Sequence, residues 1–147
     1  MNMRIFNLND SIGFLVNIAA TKYKNVLERA FISNGFDVTA EQWAVLMCLW
    51  NRDAQTQNEI ADELVKDKTN LSRILDLMQK NGYILRQQHE NDRRSYRIVL
   101  TEFAKESIPG LISIANQVNN MSTIGLSGRQ VEEVSGLLRM ILKNLQE

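Results

Sequence analysis

Four arginines, Arg86, Arg93, Arg94 and Arg97, fall within twelve residues of this chain, three of them inside the polar stretch HENDRRSYR. A guanidinium is always charged and presents its N–H donors in a planar fork, so it suits phosphates, carboxylates and base edges rather than proton transfer. The groups that do covalent or metal chemistry are scarce by contrast. The chain has one cysteine, Cys48, and one histidine, His89. A lone cysteine allows neither an internal disulfide nor a CxxC metal pair. A zinc site would have to be built mostly from carboxylates, and a Cys/His nucleophile pair would need Cys48 and His89 to meet. No nucleophile–base pair, phosphate loop or metal constellation is visible, so neither an enzyme nor a cofactor is expected. Cys48 stands in the apolar run VLMCLW, where burial would raise its pKa and make it inert.

The charge is unevenly placed. Lys plus Arg and Asp plus Glu both number 17. Between Lys66 and Arg97, however, eight basic residues (Lys66, Lys68, Arg73, Lys80, Arg86, Arg93, Arg94, Arg97) meet four acidic ones (Asp67, Asp76, Glu90, Asp92). That segment is therefore +4 and the rest of the chain −4, which concentrates a field able to attract a polyanion on one part of the molecule.

The elements that must carry these residues are legible from apolar spacing. In the first segment Ile12, Leu15, Val16, Ala19, Tyr23, Val26, Leu27, Ala30 and Phe31 form one helical stripe, with Asn9 or Asp10 as cap and Asn34-Gly35 as stop. Such a helix, about 36 Å long, exceeds what a small core can cover. Thr39 with Gln42 makes a capping box, Val38 can staple to Trp43, and the WAVLMCLW that follows is apolar all round, as in a central buried helix. Thr56 with Glu59 starts a short third helix carrying Ile60, Ala61 and Leu64. Asp67 caps a fourth, in which Leu71, Ile74, Leu75 and Met78 repeat at helical spacing until Asn81-Gly82. Two short helices joined by a tight polar turn describe a helix-turn-helix. The run YILRQ, a loop opening at His89, and YRIVL, with Tyr96, Ile98 and Leu100 on one face, add a two-stranded hairpin. Thr101 caps a fifth helix that Pro109-Gly110 should kink or interrupt. Ser127 with Gln130 opens a last one, stapled by Leu126 and Val131, with Val134, Leu137, Leu138, Ile141, Leu142 and Leu145 on its stripe. The expected fold is mainly α with a small β-hairpin wing, a single domain over residues 1–147. No signal pattern and no apolar run of about 20 residues appears, so a soluble cytoplasmic protein without a membrane partner is expected.

The order of these elements, and the words LSRILDLMQKNGYILR (Leu71 to Arg86) and NDRRSYRIVLT (Asn91 to Thr101), resemble the MarR family of bacterial transcriptional regulators. The resemblance covers nearly the whole chain. It implies a winged helix-turn-helix lobe at about 38–101 and dimerisation helices at about 5–34 and 102–147. It implies double-stranded DNA as the partner, with the helix after Asp67 as recognition helix, and Asp92 holding a wing arginine by an ion pair.

The residues agree with that implication. At 100° per residue the outward face of the fourth helix carries Thr69, Arg73, Asp76 and Lys80, flanked by Asn70 and Ser72. Arg73 can fork to a guanine edge, Asn70 can pair with adenine, and Thr69 or Ser72 can hold a phosphate or base edge. Asp76 would be repelled by phosphates unless an arginine neutralises it. One of Arg93 and Arg94 can enter the narrow minor groove beside that helix, and the sequence does not separate the two. The expected DNA-contacting set is Lys66, Lys68, Thr69, Asn70, Ser72, Arg73, Arg86, Asp92, Arg93 and Arg94.

One helix and one wing give a small interface, so a homodimer on two half-sites is expected, probing a palindrome. Its contacts are placed at Ile5, Phe6, Ile12, Leu137, Ile141 and Leu145. A small aromatic ligand, of the kind the family often binds, would be lined by Tyr23, Trp43, Met47 and Trp50, although such residues at helical spacing also make ordinary core. The expected function is a regulator, most simply a repressor, released by such a ligand. The competing reading is a winged-helix module that offers its basic face to an acidic protein.

Overall fold

The computed structural model describes residues 6–89 and 91–146, with the backbone alone at His89 and at Asp92, Arg93 and Arg94. The elements run α1 (Ile12–Ser33), α2 (Ala40–Asn51), β1 (Gln55–Thr56), α3 (Gln57–Leu64), α4 (Lys68–Lys80), β2 (Ile84–His89), β3 (Asp92–Leu100), α5 (Glu102–Ser122) and α6 (Gly128–Asn144). The fold is mainly α with a small antiparallel sheet, a winged helix-turn-helix flanked by helices.

Local chemistry sets the helix starts. Thr39, Thr56 and Ser127 each accept from the backbone N–H three residues on, and Gln42, Glu59 and Gln130 reach back to complete capping boxes. Asp67 Oδ1 accepts from the Asn70 N–H at 2.8 Å and starts α4. α1 differs from expectation. Ser11 stands at its N-cap without a side-chain bond, while Asn9 and Asp10 lie in a separate 3-10 turn, Leu8–Asp10, whose cap Asn7 accepts from the Asn9 N–H.

The core gathers under α2. Val45, Leu46 and Leu49 of α2 are buried against Ile60 and Ala61 of α3, the Leu71, Ile74, Leu75 and Met78 stripe of α4, and Ile84, Ile98 and Leu100 of the sheet. α5 closes the core with Ala104, Ile108, Leu111 and Ile114. Pro109 does not interrupt that helix, which is continuous from Glu102 to Ser122. Proline removes one backbone donor, but buried Ile108 and Leu111 on either side of it hold both halves to the same core. Space at Gly110 is tight, since a Cβ there would lie 3.1 Å from Phe36 Cζ.

The sheet order is β1-β3-β2. The two-residue strand β1, which the periodicity did not suggest, pairs Gln55 with Ile98 and Thr56 with Arg97. Gln55 is buried, and its amide donates to the carbonyls of Cys48 at 2.9 Å and Arg52 at 2.5 Å, closing the turn between α2 and α3.

The two ends of the chain are covered differently from the lobe. Only Leu27 and Phe31 of α1 are buried, both in its second half. None of the 17 residues of α6 is buried. Along one side of that helix Val134, Leu137, Leu138, Leu142 and Leu145 are exposed, with Leu145 at 72%. Ile12, Leu15 and Val16 of α1 and Phe6 before it are exposed too. Exposed apolar stripes of this kind on amphipathic helices mark interaction surfaces in soluble proteins. Among the described residues no helix is long and apolar enough to cross a membrane.

Candidate nucleic-acid interface

α3 and α4 are joined by Val65 and Lys66. Val65 caps α3 in the left-handed region (φ 53°), where its N–H bonds the Ala61 carbonyl, and this tight corner sets α4 across α3. Gln57 in the first turn of α3 then ties the two together, donating to Ser72 Oγ at 2.7 Å and to the Lys68 carbonyl at 3.2 Å. Ser72 is thus engaged within the protein. The face of α4 opposite the buried stripe carries Lys68, Thr69, Arg73, Asp76 and Lys80, all exposed, with Asn70 half-buried at its edge. Arg73 Nη2 donates to Asn70 Oδ1 at 3.1 Å, so the two side chains expected at base edges stand together one turn into the helix.

The four arginines divide into two pairs. Arg86 in β2 reaches back to α4, where Nη2 donates to Asp76 Oδ1 at 2.8 Å and Nη1 to Gln79 Oε1 at 2.7 Å. This is the neutralising partner that Asp76 required. Arg97 Nη1 donates to the Ala54 carbonyl at 2.9 Å, fastening β3 to the loop before β1. Those two serve the base of the hairpin. Arg93 and Arg94 lie farther out, and there the register changes: Gln88 faces Tyr96, yet His89 faces Asp92. Arg93, Arg94 and Ser95 are therefore inserted into β3 with no partner residue in β2. Such a bulge bends and twists a strand and re-aims what it carries. The expected open loop from His89 is mostly strand, because the two strands stay paired as far as His89 and Asp92. Tyr96 shares the face of Ile98 but is exposed, since the hairpin extends beyond the core. The ion pair expected of Asp92 lies outside the described side chains.

Other expected residues are placed elsewhere. Lys66 Nζ lies 3.6 Å from Glu41 Oε1, which Lys24 also approaches at 3.9 Å. Lys66 is thus half-buried beside the carboxylate at the start of α2. The four aromatic and Met residues expected around a ligand differ in their surroundings. Trp43 packs its ring against Phe31 with centroids 5.5 Å apart, Met47 joins the margin of the core, and Trp50 is exposed. Tyr23 lines an open apolar groove, of about 430 Å³, with Leu15, Val16, Ala19 and Ala20 of α1 and Val134 and Leu138 of α6. Its hydroxyl donates to Asn119 Oδ1 of α5. Of the expected dimer residues Phe6, Ile12, Leu137 and Leu145 are exposed, Ile141 is partly covered, and Ile5 lies outside the described residues.

Cys48 is buried, and its thiol donates to Glu63 Oε2 at 2.9 Å. Desolvation first, then the hydrogen bond and negative charge of Glu63, push its pKa up to about 12. A thiol so held is not a nucleophile.

The MarR family model matches residues 38–96, from the start of α2 to the outer half of β3. YfiV of Bacillus subtilis, described as an uncharacterised HTH-type transcriptional regulator, is 30% identical over 118 residues, 72% of this chain and 74% of its own. This chain belongs to the MarR family. Among solved structures, a MarR transcriptional regulator from Methanosarcina mazei superposes with a TM-score of 0.80 at 28% identity, over 90% of this chain and 94% of that one. A mutant MarR from E. coli complexed with operator DNA shares the fold, with a TM-score of 0.84 at 24% identity over 94% of this chain and 98% of that one. In this MarR-family transcriptional regulator α3 and α4 form the helix-turn-helix and the β2–β3 hairpin forms the wing.

Proposed function

We propose that this MarR-family regulator acts as a cytoplasmic homodimer that binds a palindromic operator, represses by occupying it, and is one domain over residues 1–147. The observation that carries the reading is the division of the arginines: two fasten the base of the hairpin to the body, and two belong to the outer, irregular end of the hairpin. On this reading Lys68, Thr69, Asn70 and Arg73 of α4 meet the major groove, with Arg73 on a guanine edge. Arg93 and Arg94 meet the minor groove and the phosphates flanking it. Two copies joined through the apolar sides of α1 and α6 set two recognition helices about one helical turn of DNA apart.

Release by a small apolar or aromatic ligand is supported by the open apolar groove between α1 and α6 that Tyr23 lines. A ligand that favours one spacing of the two recognition helices over another shifts the population between them, by no more than its difference in affinity for the two.

The test is DNA affinity as a function of salt for the wild type, Arg73→Ala and Arg94→Ala. Neutralised phosphates make log K fall linearly with log salt, by about 0.9 for each phosphate. Arg73→Ala should cost about 1–3 kcal/mol on the operator and relax specificity at one base pair. Arg94→Ala should weaken binding to every sequence. A flat salt dependence, with both variants binding like the wild type, would remove DNA as the partner.

A further inference from the structure

We infer that Arg86 is a positioning residue for DNA binding, a fork that sets the wing against the recognition helix, and that it does not itself touch DNA. The inference rests on the DNA reading above. On α4, Asp76 stands on the same exposed face as Arg73 and Lys80, with its side chain 69% exposed. An acid facing a polyanion weakens binding, so it has to serve another purpose. The geometry supplies one. Arg86 comes from β2, two residues beyond buried Ile84 and directly across from Ile98, at the level where the hairpin leaves the core. Its guanidinium spans Asp76 and Gln79, which lie three residues apart on one flank of α4.

Two acceptors held by one planar fork fix direction as well as distance, which a single ammonium contact does not. The side chain is only 24% exposed, so its stem is packed and the fork has little freedom. Farther out the hairpin carries the bulge with Arg93 and Arg94, and a small rotation at Arg86 becomes a larger displacement there. Because Asp76 cancels its charge, Arg86 contributes little to the field that attracts DNA. Its effect passes through the angle between wing and helix.

Three substitutions separate this from direct phosphate contact, once the wild type has been shown to bind an operator with a measurable salt slope. A positioning role predicts that Arg86→Gln weakens operator binding about tenfold, the order of one lost groove contact, while the slope of log K on log salt stays at the wild-type value. Arg86→Lys should behave like Arg86→Gln, since the charge remains and the fork is gone. Asp76→Asn should also weaken binding, although it removes a negative charge from the DNA-facing side. Melting curves identify any variant that merely fails to fold, and Asp76→Asn on the exposed end of the pair keeps the test available if Arg86→Gln does. The inference is overturned if Arg86→Gln lowers the slope by about one, if Arg86→Lys keeps wild-type affinity, or if Asp76→Asn tightens binding. A wild type that binds no operator removes the DNA reading itself, a different result from any of these.

Discussion

The uncovered stripe of α6 gives a quantitative expectation for dimerisation. Leu137 is 59% exposed in the single chain. Leu137→Ala removes roughly three methylene equivalents at about 0.8 kcal/mol each when they are fully buried. Covering the exposed three-fifths in a dimer is then worth about 1.4 kcal/mol per protomer. A two-fold interface counts every substitution twice, so the variant should lose about 3 kcal/mol of association, or roughly a hundredfold in dimer Kd. Sedimentation equilibrium over a concentration series reads this directly, with Leu85→Ala as control because Leu85 is half-exposed on the wing, in β2, away from α6. A second signal should accompany dissociation. A 17-residue helix with no buried residue is marginal by itself in water, so the far-UV circular dichroism of the monomer should lose the contribution of α6. Equal Kd values for wild type and Leu137→Ala, or equal losses for Leu137→Ala and Leu85→Ala, would refute the assignment of this face.

Asp67→Ala removes the cap of the recognition helix, whose Oδ1 accepts from Asn70 N–H. It should cost about 1 kcal/mol, lowering the thermal midpoint by a few degrees, with weaker operator binding. Arg97→Met breaks the bond to the Ala54 carbonyl. It should lower stability to urea by about 1–2 kcal/mol without altering the salt slope of DNA binding. Cys48 should react with a thiol reagent at pH 8 no faster than the protein unfolds, and at once in urea. Its folded pKa, about 12 against an ordinary 9.0, is raised, so the stabilisation is complete below about pH 9 and is lost as pH rises toward 12. Urea unfolding at pH 8 and pH 10.5 should show a larger alkaline loss in the wild type than in Cys48→Ala.

The helices could be read from the sequence because their signals are local. Thr39 with Gln42, Thr56 with Glu59, and Ser127 with Gln130 are each a few residues apart and do in the fold what their spacing says. Features made by distant residues were not legible. β1 has two residues and exists only because Gln55 and Thr56 pair with Ile98 and Arg97, more than forty positions away. The bulge that sets Arg93 and Arg94 apart is a mismatch between two strands, invisible in either one. Lys66 and Arg86 have the same charge as Arg73, and composition cannot tell which cations are already paired. Only Glu41 and Asp76, brought close by packing, reveal it. That Pro109 leaves α5 uninterrupted has a related reason, because a helix break is resisted by a core that the local sequence does not describe. For Tyr23, Trp43, Met47 and Trp50, helical spacing places residues on a face without saying what covers it.

The most direct test of the central claim is selection of bound sequences from a pool of randomised duplex DNA by the purified protein. The account predicts an inverted repeat whose half-sites are centred about one helical turn apart, one for each recognition helix of a dimer, with affinity that falls steeply as salt rises. Enrichment of no sequence, or of a single half-site bound by one protomer, would contradict it.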